Sequence, residues 1–263
     1  MNQAEKARGF AAMHRPGNPI VLYNIWDVGS ARAVARAGAR AIATNCWALA
    51  NAHGVKDAAD VPFYASLHNL KRIVHAVDLP VTHDFCTGAS ENLVELADNF
   101  DAIVAAGAVG VNICDSGLGV AHDMAAQGER IATLRQRAGA MRVPFFINIR
   151  TRLFFDHQPA EVHASLLNMA LERAHAYAAA GADGFFVPGL LDHDVIERLC
   201  AQSPLPVNVM QPGEFADIGR LACLGVSRIG FGPAPFIAAM AGLTEKARRV
   251  LDQVEAPAKA AQV

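Results

Sequence analysis

Three types of side chain stand where short apolar segments end, and each could do chemistry there. Asp84 closes the run VTHD, where a buried carboxylate is costly unless it is paired or binds a cation. Arg150 follows the apolar run PFFINI, and its planar guanidinium is suited to hold a carboxylate or phosphate through two hydrogen bonds. A structural hydrogen-bond partner and a structural salt bridge are the respective alternatives. Cys86 and Cys114 are either small core residues or functional thiols near Asp84.

Several other chemistries lack the residues they need in this sequence. The GLG at residues 117–119 is too short and wrongly placed for a dinucleotide-binding motif, and no Walker motif occurs. None of the five lysines ends an apolar strand, which argues against a Schiff-base mechanism. The sequence therefore favours chemistry on a small acid.

Two sequence patterns that mark the start of a strand alternate along the chain. They show which elements position these residues. The first kind is a proline followed by an apolar run, and the second is an alanine-rich helix end, a glycine and an apolar strand. The prolines are Pro19, Pro80, Pro144 and Pro206, and the glycines are Gly38, Gly107, Gly181 and Gly225. The interleaved series predicts eight strands.

Stretches with the apolar spacing of helices, such as LVELADNFDAIVAA, separate these strands. Eight regular strand–helix units predict a single α/β domain over residues 1–263, a (β/α)8 TIM barrel, with a tail after about residue 252 that is expected to be disordered. Catalytic groups of such barrels lie at the carboxyl ends of the strands. The predicted third, fourth and fifth strands end near Asp84, Cys114 and Arg150, so we expect these residues around one site.

The composition of the chain indicates which classes of binding partner can be excluded. The formal net charge is -2 and like charges form no run, which argues against nucleic acid and anionic membranes as partners. No apolar stretch is long enough to be a signal peptide or a membrane span, so a cytoplasmic location is expected. The five cysteines lack close-pair spacing and are expected to be reduced thiols.

A longer set of segments resembles a known superfamily. The segments are LYNIWDVGSA, ATNCWALANAHGVKD, VTHDFCTG, AGAVGVNICDS, PFFINIRT and GADGFFVPGL. In order and spacing, from about Asn18 to Met240, they resemble the isocitrate lyase and phosphoenolpyruvate mutase superfamily, specifically its short phosphonomutase-like members. The resemblance implies a barrel whose last helix is exchanged between subunits of a homodimer or homotetramer. It also implies a magnesium-assisted lyase reaction that makes or breaks a C–C or P–C bond in a small 2-oxo or 2-hydroxy acid through an enolate.

The resemblance also implies roles for individual residues. Asp84 matches the direct magnesium ligand, and Asp57 matches an acid that reaches the metal through water. Arg150 matches the arginine that anchors the substrate carboxylate, and Asn45 and Cys46 stand where the family usually has a small Ser-Ser or Ser-Gly pair that holds the oxo-acid.

Three further candidates complete the predicted site. Trp47 directly follows Asn45 and Cys46, and Asn208 lies in the predicted seventh strand. Both are taken as substrate-binding residues. Cys114 joins Asp57 and Arg150 as a catalytic candidate.

The sequence departs from the family pattern at acidic positions. Acids are usual at the positions of Cys86, Cys114 and Arg152, so this site is more positive and should bind a hard dication less well. The loop after Ser116 also lacks the lysine-containing segments of the lyases and mutases. Weak magnesium binding at Asp84 is the first expectation, an empty site the second and zinc the third. A barrel that binds a small carboxylate without catalysis, or a thiol or soft-metal enzyme that uses Cys86 and Cys114, remains an alternative.

Overall fold

Eight parallel strands form the centre of the computed structural model, which describes residues 1–117, 120–157, 160–213 and 217–260. They are β1 (Ile20–Leu22), β2 (Ile42–Ala43), β3 (Val81–Asp84), β4 (Gly110–Cys114), β5 (Phe146–Arg150), β6 (Gly184–Phe186), β7 (Val207–Met210) and β8 (Arg228–Gly230). From β2 to β8 each strand pairs with the next one in the chain, and β8 pairs with β1. A parallel bridge between Ile25 and Thr44 joins the chain after β1 to the chain after β2 and closes the barrel.

Each strand lies in the segment that the sequence predicted. Four of the preceding helices end at a glycine with positive φ, between +87° and +103°, which an L-residue with a β-carbon rarely adopts. These glycines are Gly38, Gly107, Gly181 and Gly225. The prediction of a (β/α)8 barrel is confirmed.

Helices surround the strands on the outside of the barrel. They are α1 (Gln3–Ala12), α2 (Val28–Arg36), α3 (Cys46–Ala52), α4 (Phe63–Ala76), α5 (Leu93–Ala105), α6 (Met124–Ala140), α7 (Leu153–Asp156), α8 (Leu167–Ala179), α9 (His193–Gln202), α10 (Ile218–Cys223) and α11 (Ala234–Ala260). Short 3-10 helices cover Ala58–Asp60 and Ala160–Leu166. A small antiparallel hairpin pairs Ser116–Gly117 with Val120–Ala121, and residues 118 and 119 of the predicted loop lie outside the described residues.

The large hydrophobic core lies between the strands and the helices. Ile73 of α4, Phe100 of α5 and Tyr177 of α8 are fully buried in it, as are Ile147 of β5 and Phe185 of β6. Burial of apolar surface at about 25 cal/mol per Å² makes this shell the main source of stability.

The inside of the barrel is apolar at its amino end, around Leu22 and Phe146, and polar in the layer above. Asn148 donates hydrogen bonds to Asn112 at 2.9 Å and to Asn208 at 3.0 Å, and Arg228 donates to Asn112 at 3.1 Å. Because β8 and β4 lie on opposite sides of the barrel, the contact between Arg228 and Asn112 must cross its interior. Below this layer, His14 stacks on Phe146 with ring centroids 4.0 Å apart, next to Phe10 of α1.

Helix α11 presents large apolar side chains to solvent. Ile237 is 52% exposed, Leu243 62% and Leu251 65%. The helix continues to Ala260, and the disordered tail expected after about residue 252 stays a prediction. None of the described helices has the length and apolar character needed to cross a bilayer.

Candidate active site

The residues that the sequence singled out for a site line one cavity of about 350 Å³ at the carboxyl ends of the strands. The predicted set around it is Asn45, Cys46, Trp47, Asp57, Asp84, Cys114, Arg150 and Asn208. They converge because parallel strands of a closed barrel all end at the same rim. This convergence places the predicted residues together, while their individual roles stay predictions.

Asp84 and Arg150 form an ion pair in the wall of this cavity. The Arg150 Nη1 lies 3.2 Å from Oδ1 and 3.3 Å from Oδ2 of Asp84. Burial alone would raise the pKa of Asp84, but the charge of Arg150 and hydrogen bonds from Cys46 hold it below its usual range. Asp84 is therefore an ionised carboxylate, and the structural salt bridge weighed as an alternative for Arg150 is present.

The start of helix α3 supports the Asp84 carboxylate. The Asn45 side chain caps the helix by accepting a hydrogen bond from the Ala48 N–H at 2.8 Å. This cap turns the next peptide so that the Cys46 N–H donates to Asp84 Oδ2 at 3.1 Å. Trp47 lies at the cavity rim, 37% exposed, with its ring centroid 6.1 Å from that of Phe236 in α11.

Two cysteines flank the same carboxylate. Ligand atoms of Cys46, Asp84 and Cys86 all lie within 4.8 Å of one another. Cys86 has φ +52°, a left-handed conformation that is uncommon for a residue with a side chain. The adjacent Cys46 thiol and burial raise the pKa of Cys86 well above its ordinary value, so the metal-free thiol is protonated at neutral pH.

Cys114, the other cysteine of the soft-metal alternative, lies on the neighbouring strand β4. Cys114 lines the cavity, but its sulfur contacts Ser116 Oγ at 3.2 Å, and it does not belong to the close group around Asp84. Cys86 still lies beside β4, since its carbonyl accepts from the Cys114 N–H at 2.7 Å, while its thiol belongs to the group with Cys46 and Asp84. Cys114 is instead the direct β-sheet neighbour of Arg150.

Asp57 and Arg152 lie farther out. The Asp57 side chain is exposed and caps the short 3-10 helix that follows it, accepting from the Ala59 N–H at 2.9 Å. Arg152 is paired with Asp156, with 2.6 Å between Nη2 and Oδ1. Both residues border the cavity at its rim, where water competes for their charges.

The floor of the cavity holds an arginine that sequence reasoning missed. Arg228 is 2% exposed, and its Nε and Nη1 have no hydrogen-bond partner among the described residues. Burial lowers its pKa to about 9, which leaves it charged at neutral pH. A charged residue inside the predicted eighth strand, SRIG, was the signal that could have identified it. Asn208, predicted to bind substrate, lies beside it and donates to the Arg228 carbonyl at 3.1 Å.

A second buried aspartate lies just beyond β4, behind the barrel wall. Asp115 Oδ2 accepts from Arg173 at 2.9 Å and from the Tyr177 hydroxyl at 3.1 Å, and Oδ1 accepts from the Arg152 N–H at 3.1 Å. Asp115 is 1% exposed and does not border the cavity. Its interactions join the end of β4 to helix α8.

Comparison with curated proteins finds two informative relatives. An uncharacterized protein of Mycobacterium tuberculosis strain H37Rv is 31% identical over 250 residues, which cover 94% of this chain and 91% of the relative. An oxaloacetate decarboxylase of Bradyrhizobium sp. strain ORS 278 is 26% identical over 202 residues, which cover 76% of this chain and 69% of the enzyme.

Solved structures share the fold. A Burkholderia cenocepacia J2315 protein, assigned provisionally as a phosphonomutase, is 43% identical with a TM-score of 0.91, covering 94% of this chain and 99% of that chain. A phosphonopyruvate hydrolase in complex with oxalate and Mg²⁺ is 20% identical with a TM-score of 0.80, covering 96% of this chain and 88% of that chain.

The family model described as phosphoenolpyruvate phosphomutase matches residues 10–251. That match spans all eight strands and every residue of the predicted site. The resemblance that the sequence motifs indicated is thereby confirmed, and this chain belongs to the phosphoenolpyruvate phosphomutase family of enzymes.

Proposed function

We propose that this chain is a lyase-type enzyme that makes or breaks a C–C or P–C bond in a small 2-oxo or 2-hydroxy carboxylic acid. The observation that carries the proposal is the placement of Arg150. Its guanidinium is fixed by Asp84 through Nη1, while its other donors have no protein partner among the described residues and border the cavity. A fixed guanidinium with free donors is suited to bind a carboxylate through two hydrogen bonds.

The charge around the cavity supports an anionic substrate. Three arginines, Arg150, Arg152 and Arg228, line the described part of the cavity against two aspartates, Asp57 and Asp84. A cavity of about 350 Å³ is also in the range of sites that enclose small molecules. The excess positive charge favours an acid as the substrate.

The same charges favour the reaction as well as binding. In the decarboxylation of an oxaloacetate-type acid, the C–C bond breaks, carbon dioxide leaves and the electron pair stays on the oxo acid as an enolate. The buried guanidinium of Arg228 and the paired guanidinium of Arg150 stabilise its negative charge. The Cys114 thiol, opposite Arg150 in the sheet register, then donates its proton to the enolate carbon, and the resulting thiolate is stabilised by Arg150. Asp57 at the rim exchanges protons with water.

The residues around Asp84 do not fit the magnesium ion that the family implies. Magnesium requires oxygen ligands in a near-octahedral arrangement, whereas the group closest to Asp84 comprises two thiols. The sequence-based expectation of weak magnesium binding at Asp84 stays a prediction, and the proposed steps do not require it.

An activity panel tests the proposed function. Oxaloacetate, phosphonopyruvate and 2-methylisocitrate are incubated with the purified protein, with and without added magnesium, and the 2-oxo or 2-hydroxy acid product is quantified. We expect turnover of at least one compound and its loss in Arg150→Ala. If oxalate binds but none of these compounds is turned over, the chain is instead a carboxylate-binding barrel, the alternative that the loss of three family acids favours. Absence of both turnover and oxalate binding contradicts the two functions together.

We also propose that the protein forms a homodimer or homotetramer. The support is the row of exposed apolar side chains on α11, including Ile237 and Leu243, which a monomer would leave in contact with water. Size-exclusion chromatography with light scattering should give a multiple of 27.9 kDa, and a single species of that mass would contradict the proposal. The expected cytoplasmic location stays a prediction.

A further inference from the structure

We infer that Cys46, Asp84 and Cys86 form a binding site for a thiophilic divalent cation of the zinc class in the wall of the cavity. The inference goes beyond the proposed reaction and does not depend on it, because it requires these three side chains alone. It also differs from the pairing of Cys86 with Cys114 that the sequence suggested.

The spacing of the three donors suits such an ion. Their ligand atoms lie within 4.8 Å of one another, and all three residues border the cavity. Zinc binds thiolate sulfur at about 2.3 Å and carboxylate oxygen at about 2.0–2.2 Å, which places the ligands of a tetrahedral ion less than about 4 Å apart. Small side-chain rotations therefore bring the donors to bonding distance without moving the strands.

The chemistry of the donors selects among cations. Two thiolates are soft ligands that favour zinc and related transition metals, whereas magnesium and calcium prefer oxygen. Two thiolates, one carboxylate, the dication and the guanidinium of Arg150 together carry no net charge, so the ion can enter without an unbalanced charge in the wall.

Hydrogen bonds already orient the carboxylate for this role. Asp84 accepts from the N–H groups of both cysteines, at 3.1 Å from Cys46 and 3.4 Å from Cys86, and from Arg150. Groups that bond to a metal ligand in this way fix its orientation and are a usual part of protein metal sites.

The backbone at Cys86 shows how the two thiols come together. This residue holds φ +52° with a side chain present, a conformation that costs energy and persists where the surrounding structure enforces it. The result of this turn is that the Cys86 thiol meets Cys46 across Asp84. Three protein ligands beside an open cavity leave a fourth position for water or a substrate oxygen, the arrangement of catalytic zinc sites.

Metal titration of the purified full-length protein tests the inference. The protein is stripped of metal, kept reduced and titrated separately with Zn²⁺, Co²⁺ and Mg²⁺. We expect one equivalent of Zn²⁺, release of thiol protons, and a near-ultraviolet thiolate charge-transfer band with Co²⁺. Mg²⁺ at the same concentration should neither bind at this site nor displace Co²⁺.

Matched cysteine variants decide which residues bind. Cys46→Ser and Cys86→Ser should each weaken zinc binding by at least about 100-fold, beyond the 10- to 100-fold that follows from losing a residue that merely supports a ligand. The control Cys223→Ser, an exposed cysteine, should bind zinc normally. Cys114→Ser should also bind normally, and weakened binding there would make Cys114 a ligand and overturn this site.

Two other results would overturn the inference. One is the absence of stoichiometric zinc binding to the reduced protein at micromolar zinc. The other is unchanged affinity in both Cys46→Ser and Cys86→Ser while circular dichroism shows that both variants are folded. A substrate is not needed in any of these titrations, so their outcome is distinguishable from failure of the proposed lyase activity.

Discussion

Two buried aspartates, one at the cavity and one behind the barrel wall, show how position decides the role of the same side chain. Asp115 shares its oxygens with Arg173, Tyr177 and a backbone N–H, all inside the protein. Asp84 has a comparable set of donors, but its partner Arg150 borders a cavity large enough to hold a substrate. The ion pair of Asp115, which solvent and substrate do not reach, stabilises the fold. The ion pair of Asp84, which borders the cavity, positions a group that can contact a substrate.

Removal of the Asp115 carboxylate should have the largest effect on stability. In Asp115→Ala, Arg173 is left as an unpaired charge away from the cavity, and the free energy of unfolding should fall by about 3–5 kcal/mol. Asp84→Ala should cost less, about 1–2 kcal/mol, because water in the cavity can hydrate Arg150. Denaturant unfolding followed by circular dichroism measures both. Equal losses would contradict the distinction between the two sites.

As the pH falls, protonation of a histidine in the barrel wall should lower the stability of the fold before protonation of Asp84 at the cavity does. His83 faces away from Asp84 and contacts Thr44 and Ser66, and burial lowers its pKa to about 4. Since the unfolded histidine binds a proton below about pH 6.5, stability should fall from there to about pH 4, by about 1.4 kcal/mol per pH unit and about 3 kcal/mol in total. Asp84, whose pKa is held below 3.8, adds its own loss at lower pH.

The variant His83→Gln isolates this contribution. Its free energy of unfolding should vary less between pH 6.5 and 4 than that of the unchanged protein, because glutamine does not titrate. His14, whose pKa burial lowers to about 3, is present in both proteins and cancels from the difference. Parallel stability curves for the two proteins would show that His83 is not buried in its neutral form.

Replacement of Arg150 by lysine should weaken ligand binding in the cavity and leave the stability of the fold almost unchanged. Lysine keeps the charge beside Asp84 but loses the planar pair of donors, so oxalate binding should weaken about 10- to 100-fold with little change in stability. Isothermal titration calorimetry measures the affinity, and Arg152→Lys at the rim is the matched control. Unchanged oxalate affinity would show that Arg150 is a structural residue.

The smallest effect is expected at the exposed ion pair of Arg152 and Asp156. The Arg152 side chain is 41% exposed and lies one helical turn from its partner. Pairs of this kind contribute about 0.2–1 kcal/mol, so Arg152→Ala should change the free energy of unfolding by less than about 1 kcal/mol. A loss comparable to that of Asp115→Ala would mean that the exposure of a pair does not determine its contribution.

Local signals predicted the fold, and contacts between distant strands limited the prediction of the site. Prolines and glycines act on their own backbone, so entries such as Pro80 and Gly107 located the strands correctly. The ion pair between Asp84 and Arg150 joins β3 to β5 across an intervening strand, and sequence alternation alone does not report it. The grouping of Cys46 with Cys86 depends on a left-handed turn that no residue pattern marked.

The polar layer inside the barrel has a consequence for how this scaffold can change. Above the apolar layer around Leu22 and Phe146, amides and one guanidinium form the middle of the interior, where many barrels carry a further layer of branched apolar side chains. The folding energy is therefore stored mostly in the outer shell between strands and helices. A substitution in this polar layer changes the electric field and the hydrogen-bonding groups around a bound substrate, while it removes little apolar contact. Evolution or a protein engineer can thus test new reactions here in single steps, with foldability retained by residues that the substrate never meets.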